Sequence, residues 1–365
     1  MKYRIGILIL LYSLFFTFNT SFANYIDNLQ SGWTLYGITE LIPKSSKSIK
    51  LKKSINNNLQ SNLRKKILSG NKVVLLAKNN TILAEYYGIS ESKTPGGNSI
   101  SKSVVSLIIG KTLCSGLIDI NKKSEVYSKD LKNTSWGNAT IEQLLKMSSG
   151  AYSSPSNLYG HRSINMQKEL SSAIKGKSSK SVVKILKSVD EKKFDAGEKF
   201  NYSNADTLAL GLVIKSVYGK EVHEIVKLIW EETGSNYDAF WLKNHLNETM
   251  SYMGLAANPK DWILLGNYVI KNLKKDNCFG KYLKKASNTQ IRFNSFSDNR
   301  NYGYQMWTDC GLGSGAFCFV GALGQLLLIE PKTNMVLYVH SISRKWGGIN
   351  HWDNYFFEAI KTIKN

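Results

Sequence analysis

The sequence predicts an α/β (α+β) fold, in which an antiparallel sheet is flanked by N- and C-terminal helices and carries an inserted, mainly helical region. Three observations predict it. Runs of β-rich residues lie near both ends of the chain, a helical segment closes it, and the stretch between them has mostly helical patterns. With 365 residues, 42% of them hydrophobic, the chain is long enough to bury a sizeable core.

Two hairpins supply the predicted strands. In Lys72–Tyr87, two β-rich runs flank Asn79 and Asn80, a pair that tolerates the positive φ of a tight turn. Gly324–Ser343 repeats the arrangement, with Pro331–Asn334 as its turn. We expect all these strands to lie in one sheet.

The last segment, HWDNYFFEAIKTI, places its large apolar side chains at helical spacing. These residues are Trp352, Tyr355, Phe356, Ile360 and Ile363. Because they share one face, we expect a C-terminal helix that packs against the sheet.

The middle of the chain is predicted to be helical. Ser103–Ile118 is apolar nearly all round, which is typical of a central buried helix. Further segments with helical periodicity are Ile141–Met147, Val182–Val189, Thr207–Tyr218 and Asp261–Leu273. We therefore expect one domain of residues 24–365, with an α/β layer from about 24–95 and 295–365 and a helical region of about 96–294.

The first residues have the pattern of a secretory signal. Lys2 and Arg4 precede an apolar run, Ile5–Phe18, that is shorter than the ~20 residues a membrane-spanning helix needs. Ser21 and Ala23 are small residues at the positions a signal peptidase reads. We expect a signal peptide of residues 1–23, cleavage near Ala23, and a secreted or periplasmic protein with no integral membrane anchor. An uncleaved anchor is the alternative.

The chain is strongly basic, with 48 Lys and Arg against 27 Asp and Glu and a net charge of +21. Such an excess can indicate nucleic-acid or membrane-surface binding. The cations are mostly lysines spread along the whole sequence, which is typical of a general compositional bias. We therefore predict no nucleic-acid partner, and the oligomeric state stays open.

Four cysteines are present, namely Cys114, Cys278, Cys310 and Cys318. None forms a C-x-x-C pair or has a histidine at metal-ligand spacing, so a zinc site is not expected. In an oxidising compartment Cys310 and Cys318 can close a small loop, because the Gly-rich residues between them can turn the chain back. Cys114 lies in an apolar helical run and is predicted to be a buried free thiol. The other pairings stay open.

The motif S-I-S-K at residues 99–102 is the first candidate for catalysis. Its spacing puts a hydroxyl and an amine on one helix face, and a buried lysine with a lowered pKa can take the serine proton. The same S-x-x-K pattern recurs at Ser69, Ser90, Ser172 and Ser181. Ser99 differs because it follows a flexible Gly96-Gly97 turn and opens the most apolar helix. We predict Ser99 as the nucleophile and Lys102 as its base.

Tyr202-Ser203-Asn204 is the second motif, and Tyr202 is the only one of 19 tyrosines with Asn two places later. A tyrosine hydroxyl near a lysine can relay the serine proton to a leaving group. An amide two residues on can hold the lysine or the substrate. Taken alone, the motif is more typical of a loop tyrosine capped before a helix.

The third motif, G-A-L-G-Q at residues 321–325, enters a strand. Glycines at a strand edge let a substrate carbonyl approach the backbone. The N–H groups of Ala322 and Ser99 are therefore predicted to form an oxyanion hole. An ordinary bulge is the alternative.

Three segments in order, SISKSVVSLIIG, IEQLLKMSSGAY and FNYSNADTLALG, resemble the serine β-lactamase and penicillin-binding superfamily in its class C-like branch. Within that branch GALGQLLLIEP, DAFWL, MGLAANPKDWILLG and the terminal HW pair are most similar to 6-aminohexanoate-dimer hydrolases and related esterases. The resemblance spans nearly all of the mature chain. It implies a β-lactamase-like fold, an acyl-enzyme and no cofactor. The site residues it implies are Ser99 as nucleophile, Lys102 as base, Tyr202 as proton relay, Asn204 as orienting amide, and Ala322 with Ser99 as oxyanion donors.

Two tyrosines in the loop after Met147 are candidates for the substrate pocket. Tyr152 is the principal one, and Tyr159 lies further along the loop. Ordinary surface tyrosines are the alternative.

The sequence departs from the family pattern at F-V-G, residues 319–321. Lactam-recognising relatives usually carry K-T-G at this position, and the lysine of that motif binds a substrate carboxylate. Phe319 cannot supply that cation. We therefore expect an exported serine hydrolase that acts on a small-molecule ester or small amide with an apolar part. The alternatives are a β-lactamase or D-Ala-type peptidase, for which the substrate is a lactam or peptide, and a catalytically silent protein that binds cell-wall fragments.

Overall fold

The computed structural model describes residues 38–151, 164–292 and 301–364, with only the backbone described for residues 164–168. The predicted signal peptide (residues 1–23), Tyr152 and Tyr159 therefore lie outside the described residues. Within these ranges no helix is long and apolar enough to cross a membrane.

Strands come mainly from the two ends of the chain. They are β1 (Ile38–Ile42), β2 (Lys52–Lys53), β3 (Asn71–Lys78), β4 (Thr81–Tyr87), β5 (Ala239–Lys243), β6 (Leu255–Ala256), β7 (Asn301–Tyr302), β8 (Trp307–Cys310), β9 (Ala316–Gly321), β10 (Gln325–Glu330) and β11 (Met335–Ser341). Both predicted hairpins are confirmed, as β3–β4 and β10–β11. Asn79 takes φ 52° in the first turn and Asn334 φ 60° in the second, a conformation that asparagine tolerates.

Helices fill the middle of the chain and flank the sheet. They are α1 (Asn57–Lys66), α2 (Ile100–Cys114), α3 (Ser135–Asn138), α4 (Ile141–Leu145), α5 (Ile164–Ile174), α6 (Val182–Ser188), α7 (Asn204–Tyr218), α8 (Val222–Thr233), α9 (Pro259–Leu273), α10 (Cys278–Ala286) and α11 (Gly348–Lys364). The five predicted helices of the middle region and the C-terminal helix are all present. Their ends differ from the predicted ones by a few residues.

The main sheet has eight strands in the order β2-β4-β3-β11-β10-β9-β8-β7. Its neighbours are antiparallel except for the short parallel pair β2–β4. The central ladder joins β3, near the start of the chain, to β11, near its end. The predicted fold class, an antiparallel sheet with flanking helices and an inserted helical region, is confirmed.

Both faces of the sheet are buried, because alternate side chains of each strand point to opposite sides. On one face, residues such as Val74, Leu328 and Leu337 pack with Leu59 of α1 and Trp352 of α11. The other face packs against the inserted region, in a core that includes most of α2 and α9. The predicted packing of the C-terminal helix on the sheet is therefore confirmed.

Helix α9 lies directly on the second face. A β-carbon on Gly266 would be 2.6 Å from a Val336 methyl carbon, so only glycine permits this approach. Trp262 stacks on Tyr338 of β11, with ring centroids 6.1 Å apart and planes inclined by 18°. This contact fixes the inserted region relative to the sheet.

Several parts of the fold were not predicted from sequence, among them helices α5 and α10. Strands β1, β5 and β6 form a separate three-stranded sheet, in which β1 pairs with β5 across about 200 residues of sequence. Helix α8 was also missed, although it has a clear amphipathic pattern and a capping box formed by Glu221 and Glu224.

All four cysteines are paired. Cys310 and Cys318 form the predicted small loop. The prediction of a free thiol at Cys114 is wrong, because Cys114 is bonded to Cys278, 164 residues further along. Cys114 is the last residue of α2 and Cys278 the first of α10, and packing of α10 on α2 brings the two together. Nothing local in the sequence signals that contact.

Candidate active site

Ser99 lies at the N-terminus of α2, where the chain turns sharply into the helix. Asn98 before it has φ 50°, a left-handed conformation that asparagine adopts more readily than most residues. Ser99 is half-exposed between buried neighbours, and its hydroxyl makes no capping hydrogen bond with the helix. The turn thus leaves the Ser99 hydroxyl available to side chains on the helix face and accessible from solvent.

The Gly96-Gly97 turn was predicted to be flexible, and that prediction is wrong. Gly97 N–H donates to Leu255 O at 2.8 Å, and Gly96 forms a β-bridge with Ala256. A β-carbon on Gly97 would lie 2.9 Å from the Trp262 ring. Gly97 is therefore required for close packing against β6 and α9, which holds the start of α2 in place.

Lys102 is enclosed beneath Ser99 and is only 1% exposed. Its Nζ lies 2.8 Å from Ser99 Oγ and donates to Tyr252 O at 2.9 Å. Burial lowers the pKa of Lys102 well below that of an ordinary lysine, which favours the neutral amine. A neutral amine can donate one N–H to the Tyr252 carbonyl while its lone pair faces the serine proton.

Tyr202 meets the same serine from the inserted region. Its hydroxyl is hydrogen-bonded to the Ser99 side chain, and its ring centroid is 5.1 Å from Lys102 Nζ. Burial raises the pKa of Tyr202 to about 12, an effect that the Ser99 hydrogen bond partly opposes. The phenol is therefore protonated at neutral pH and can act as a donor.

The Tyr202 ring packs within an aromatic cluster. Its ring stacks on Trp307 of β8, with centroids 5.9 Å apart and planes inclined by 24°. Tyr302 meets both rings edge-on, and Phe200 packs against Tyr302 with centroids 5.0 Å apart. The sheet and the inserted region thus fix the Tyr202 ring together.

Asn204 is the first residue of α7 and is half-buried. The two hydrogen-bond partners described for Lys102 Nζ are Ser99 Oγ and Tyr252 O, and Asn204 is not one of them. The neighbouring Ser203 caps the helix, accepting from Ala205 N–H at 3.1 Å. Asn204 is thus not a described partner of the lysine, and its use in holding the substrate stays a prediction.

Ala322 follows β9 and is exposed, next to the start of α2. Its carbonyl accepts from Asn98 Nδ2 at 2.8 Å, so the end of β9 is joined to the residue before Ser99. A β-carbon on Gly321 would lie 2.3 Å from Gly97 O. The strand therefore passes close to the nucleophile because residue 321 has no side chain.

Two functional neighbours were missed from sequence. The Tyr252 carbonyl accepts from Lys102 Nζ, and the Tyr252 ring centroid lies 5.4 Å from that nitrogen. A backbone acceptor has no sequence signature, so this partner could not have been found from residue types. Asn98 was also missed, although an asparagine between two glycines and a candidate nucleophile indicates a left-handed turn.

Asp206 is the third group that the sequence did not single out. This carboxyl is fully buried in α7, where it accepts from Ser149 Oγ at 2.7 Å, Ser149 N–H at 3.2 Å and Trp136 Nε1 at 3.2 Å. Burial raises its pKa to about 7, although these hydrogen bonds favour the charged form. Asp206 joins the segment before residue 151 to the helix that follows Tyr202.

Other serines with the S-x-x-K pattern have ordinary surroundings. Ser181 Oγ caps α6 by accepting from Lys184 N–H, and Ser90 Oγ is exposed beside Ser92. Phe319, which stands where lactam-recognising relatives carry a lysine, is fully buried and packs on Phe317 with ring centroids 6.2 Å apart. An apolar side chain at residue 319 therefore belongs to the core beneath the site.

Ser99, the buried Lys102 and Tyr202 thus meet at one place on this framework of sheet and helices. Residues 66–233 match the family model described as Beta-lactamase. The predicted resemblance to the serine β-lactamase and penicillin-binding superfamily is confirmed by this match together with the fold. A search of curated proteins gave no match to the chain.

Several solved structures have the same fold. A protein provisionally described as a 6-aminohexanoate-dimer hydrolase from Bacillus anthracis aligns with a TM-score of 0.79 and 20% identity over 94% of each chain. An octameric penicillin-binding protein homologue from Pyrococcus abyssi aligns with a TM-score of 0.62 and 17% identity, over 84% of this chain and 77% of that one. A D-stereospecific amidohydrolase from Streptomyces sp. aligns at 0.59 and 15%, over 82% of this chain and 96% of that one.

Proposed function

We propose that the protein is an exported serine hydrolase that cleaves an ester or small amide bond through an acyl-enzyme at Ser99. The observation that carries the proposal is the 2.8 Å separation of Ser99 Oγ from the buried Lys102 Nζ. Neither residue alone indicates chemistry. A hydroxyl that faces a neutral, enclosed amine has the base that it needs to become a nucleophile.

The first step forms the acyl-enzyme. Ser99 Oγ attacks the substrate carbonyl carbon while its proton passes to Lys102 Nζ, and the carbonyl oxygen takes the negative charge. The ammonium so formed is stabilised by the Tyr252 carbonyl at 2.9 Å and by the faces of two tyrosine rings. The oxyanion is placed between the N–H groups of Ser99 and Ala322, where each donor typically contributes about 2.7–4 kcal/mol.

The second step expels the leaving group. Tyr202 donates its proton to the departing oxygen or nitrogen and recovers one from the Lys102 ammonium, so both groups end neutral. Water then attacks the acyl-serine carbonyl, losing its proton to the same pair, and the Ser99 hydroxyl is restored when the acid leaves. All the catalytic groups in these proposed steps are side chains and backbone groups of this chain.

The substrate is proposed to be neutral or apolar near the scissile bond. Phe319 supplies no cation at the position where lactam-recognising relatives carry one, and it is buried beneath the site. Asn204, half-buried at the start of α7, is proposed to orient the substrate through its amide. Tyr152 is retained as a proposed pocket residue on the strength of its sequence position alone.

Export is proposed from the N-terminal pattern of residues 1–23 and from cysteine usage. The described residues hold two disulfides and no free cysteine, and disulfides persist in oxidising compartments. Both features support a secreted or periplasmic location.

The test compares wild-type protein with Ser99→Ala on p-nitrophenyl esters and short linear amides. We expect turnover by the wild type and a loss of at least about a thousandfold in the variant, since the nucleophile itself is removed. Ser90→Ala is the matched control, because Ser90 also belongs to an S-x-x-K pattern but is exposed and contacts only Ser92 among described side chains. Equal rates for wild type and Ser99→Ala would end the proposal.

Two reagents separate the alternatives. A fluorescent penicillin that labels wild type but not Ser99→Ala would favour a β-lactamase or D-Ala-type peptidase. A fluorophosphonate probe that leaves the wild type unlabelled would favour a catalytically silent binding protein.

A further inference from the structure

The carbonyl of Ala322 is held by two side-chain amides that approach it from different elements. Asn98 Nδ2 donates to it at 2.8 Å from the turn before α2, and Gln325 Nε2 donates at 3.3 Å from the start of β10. Ala322 itself lies just beyond β9, where the strand ladder ends.

The Asn98 contact joins the nucleophile to the strand. Asn98 has φ 50°, and its backbone turns the chain into Ser99 while its side chain reaches across to Ala322. Its carbonyl accepts from Ser101 Oγ at 2.8 Å, which ties the turn to the first turn of the helix. One residue thus contacts both sides of the proposed oxyanion hole, through its own peptide unit with Ser99 and through the carbonyl of Ala322.

Further hydrogen bonds hold the side-chain amide of Gln325 in one orientation. Gln325 Nε2 donates to Ser341 O at 2.6 Å as well as to Ala322 O, so this atom must be the amide nitrogen. Gln325 Oε1 then accepts from His340 Nδ1–H on β11. Burial lowers the pKa of His340 to about 3, so the ring is neutral and its Nδ1 proton is fixed by this contact.

We propose that Asn98 and Gln325 are positioning residues that hold the Ala322 peptide so that its N–H faces the oxyanion formed at Ser99. The ladder partner of Gly321 is Gln325, so the residue before Ala322 is fixed by the strand and the carbonyl after it by the two amides. The Ala322 N–H belongs to the Gly321–Ala322 peptide unit and so lies between these two restrained points, which limits how far it can move away from the site. The inference rests on the proposed function, because it assigns a role within that reaction.

Stabilisation of an oxyanion requires that the backbone N–H donor be precisely positioned. Oxyanion donors act only when they lie within hydrogen-bond distance of the developing charge, and a displacement of about 1 Å can lower a rate about a hundredfold. Neither side-chain amide is among the hydrogen-bond partners described for Lys102 Nζ, which are Ser99 Oγ and the Tyr252 carbonyl. Their loss is therefore expected to lower the acylation rate while KM and the lysine-controlled pH profile stay close to the wild-type values.

Asn98→Gly and Asn98→Asp are the informative variants. Glycine accepts φ 50° without strain and removes the amide, so acylation by a p-nitrophenyl ester should fall about tenfold to a hundredfold. Aspartate also tolerates this φ and has nearly the same shape, but it places an acceptor against the Ala322 carbonyl. It should therefore be slower than Asn98→Gly, whereas a purely structural role would rank the near-isosteric aspartate as the milder change.

Asn79→Gly is the matched control, since Asn79 has φ 52° in the β3–β4 turn, remote from Ser99. Gln325→Met provides a second variant, and its effect should be smaller because its contact with Ala322 is longer. Infrared difference spectra of the acyl-enzyme, formed with a carbonyl-labelled p-nitrophenyl ester, give a readout independent of rate. The acyl carbonyl band should move to higher wavenumber in Asn98→Gly and stay at the wild-type position in Asn79→Gly.

An Asn98→Gly acyl-enzyme with the wild-type band and the wild-type acylation rate would overturn the positioning role while leaving the hydrolase proposal intact. Failure of the wild-type protein to form any acyl-Ser99 would overturn both. The two failures are therefore distinguishable in one set of experiments.

Discussion

A β-carbon on Gly321 would lie 2.3 Å from the backbone oxygen of Gly97, so the end of β9 touches the turn before the nucleophile without room for a methyl group. The two backbones approach each other directly, and residue 321 is one of the places where the sheet meets the inserted helical region.

Gly321→Ala should therefore separate β9 from the start of α2. We expect a loss of ester hydrolysis of at least about a hundredfold, because the proposed Ala322 donor shifts relative to Ser99. The measurement is kcat/KM for a p-nitrophenyl ester, alongside a thermal unfolding curve. Gly313→Ala is the control, since Gly313 has φ 78° but open space around it, and it should lose about 1–2 kcal/mol of stability with activity retained. Full activity in Gly321→Ala would contradict the packing argument.

Lys102→Met should abolish hydrolysis and stabilise the fold. The native lysine is buried with a lowered pKa, whereas the unfolded lysine titrates near 10.4. Below that pH the unfolded chain binds a proton that the native chain does not hold, so the lysine destabilises the native state. Methionine removes this cost. The gain in Tm should be large near pH 7 and should shrink as the pH rises towards about 10.4.

The control for this prediction is Lys111→Met in the same helix. Lys111 is half-exposed and paired with Glu232, with Nζ 2.6 Å from the carboxylate, so its removal should give no such pH-dependent gain. A Lys102→Met protein with a Tm below the wild type throughout pH 7–10 would contradict this expectation.

Tyr202→Phe should slow the hydrolysis of an amide more than that of an ester with a good leaving group. The ring and its stacking on Trp307 are kept, so we expect little change in stability. Loss of the hydroxyl removes the proposed proton donor, which an amine leaving group needs and p-nitrophenolate does not. Hydrolysis of a linear amide should fall about 10²–10⁴-fold, against less than about tenfold for acylation by the p-nitrophenyl ester.

Tyr218→Phe, at the last residue of α7, the helix that follows Tyr202, is the matched control for the tyrosine prediction. Its hydroxyl meets Thr112 Oγ1 at 3.2 Å and faces no reacting group. Equal losses for amide and ester in Tyr202→Phe would argue against proton relay and for a general role in positioning Ser99.

The two disulfides should contribute unequally to stability. Cys114–Cys278 closes a loop of 164 residues and Cys310–Cys318 one of 8 residues. In the chain-entropy treatment, removing the disulfide that closes the longer loop lowers the free energy of unfolding by about 2–3 kcal/mol more than removing the other disulfide. Denaturant unfolding of the two double Cys→Ser variants measures the difference. A larger loss in the Cys310→Ser/Cys318→Ser protein would contradict the expectation.

Local spacing explains why much of the site could be predicted from sequence. Helix geometry places residues three apart on one face, so Ser99 and Lys102 meet wherever that segment is helical. The turns at Asn79 and Pro331 fix the two hairpins in the same local way. Apolar residues that surround Lys102 in the sequence already predict its burial, and hence the direction of its pKa shift.

Contacts that depend on tertiary packing could not be predicted. Cys114 meets Cys278 because α10 packs on α2, and no local pattern encodes that pairing. Gly97 was expected to be flexible because glycine is permissive, yet Trp262 and β6 enclose it. The Tyr252 carbonyl contributes only its backbone to Lys102, so its residue type gave no signal.

The ladder between β3 and β11 unites residues 71–78 with residues 335–341. A growing chain cannot make this pairing until residue 341 has been synthesised, long after Ser99 and Lys102 have left the ribosome. Strands β9 and β10, which carry Ala322 and Gln325 at their ends, have no completed sheet to join before then. Non-local pairing of this kind is also slow to form. The nascent polypeptide should therefore be unreactive towards esters throughout its synthesis, with reactivity arising only when its final strand docks.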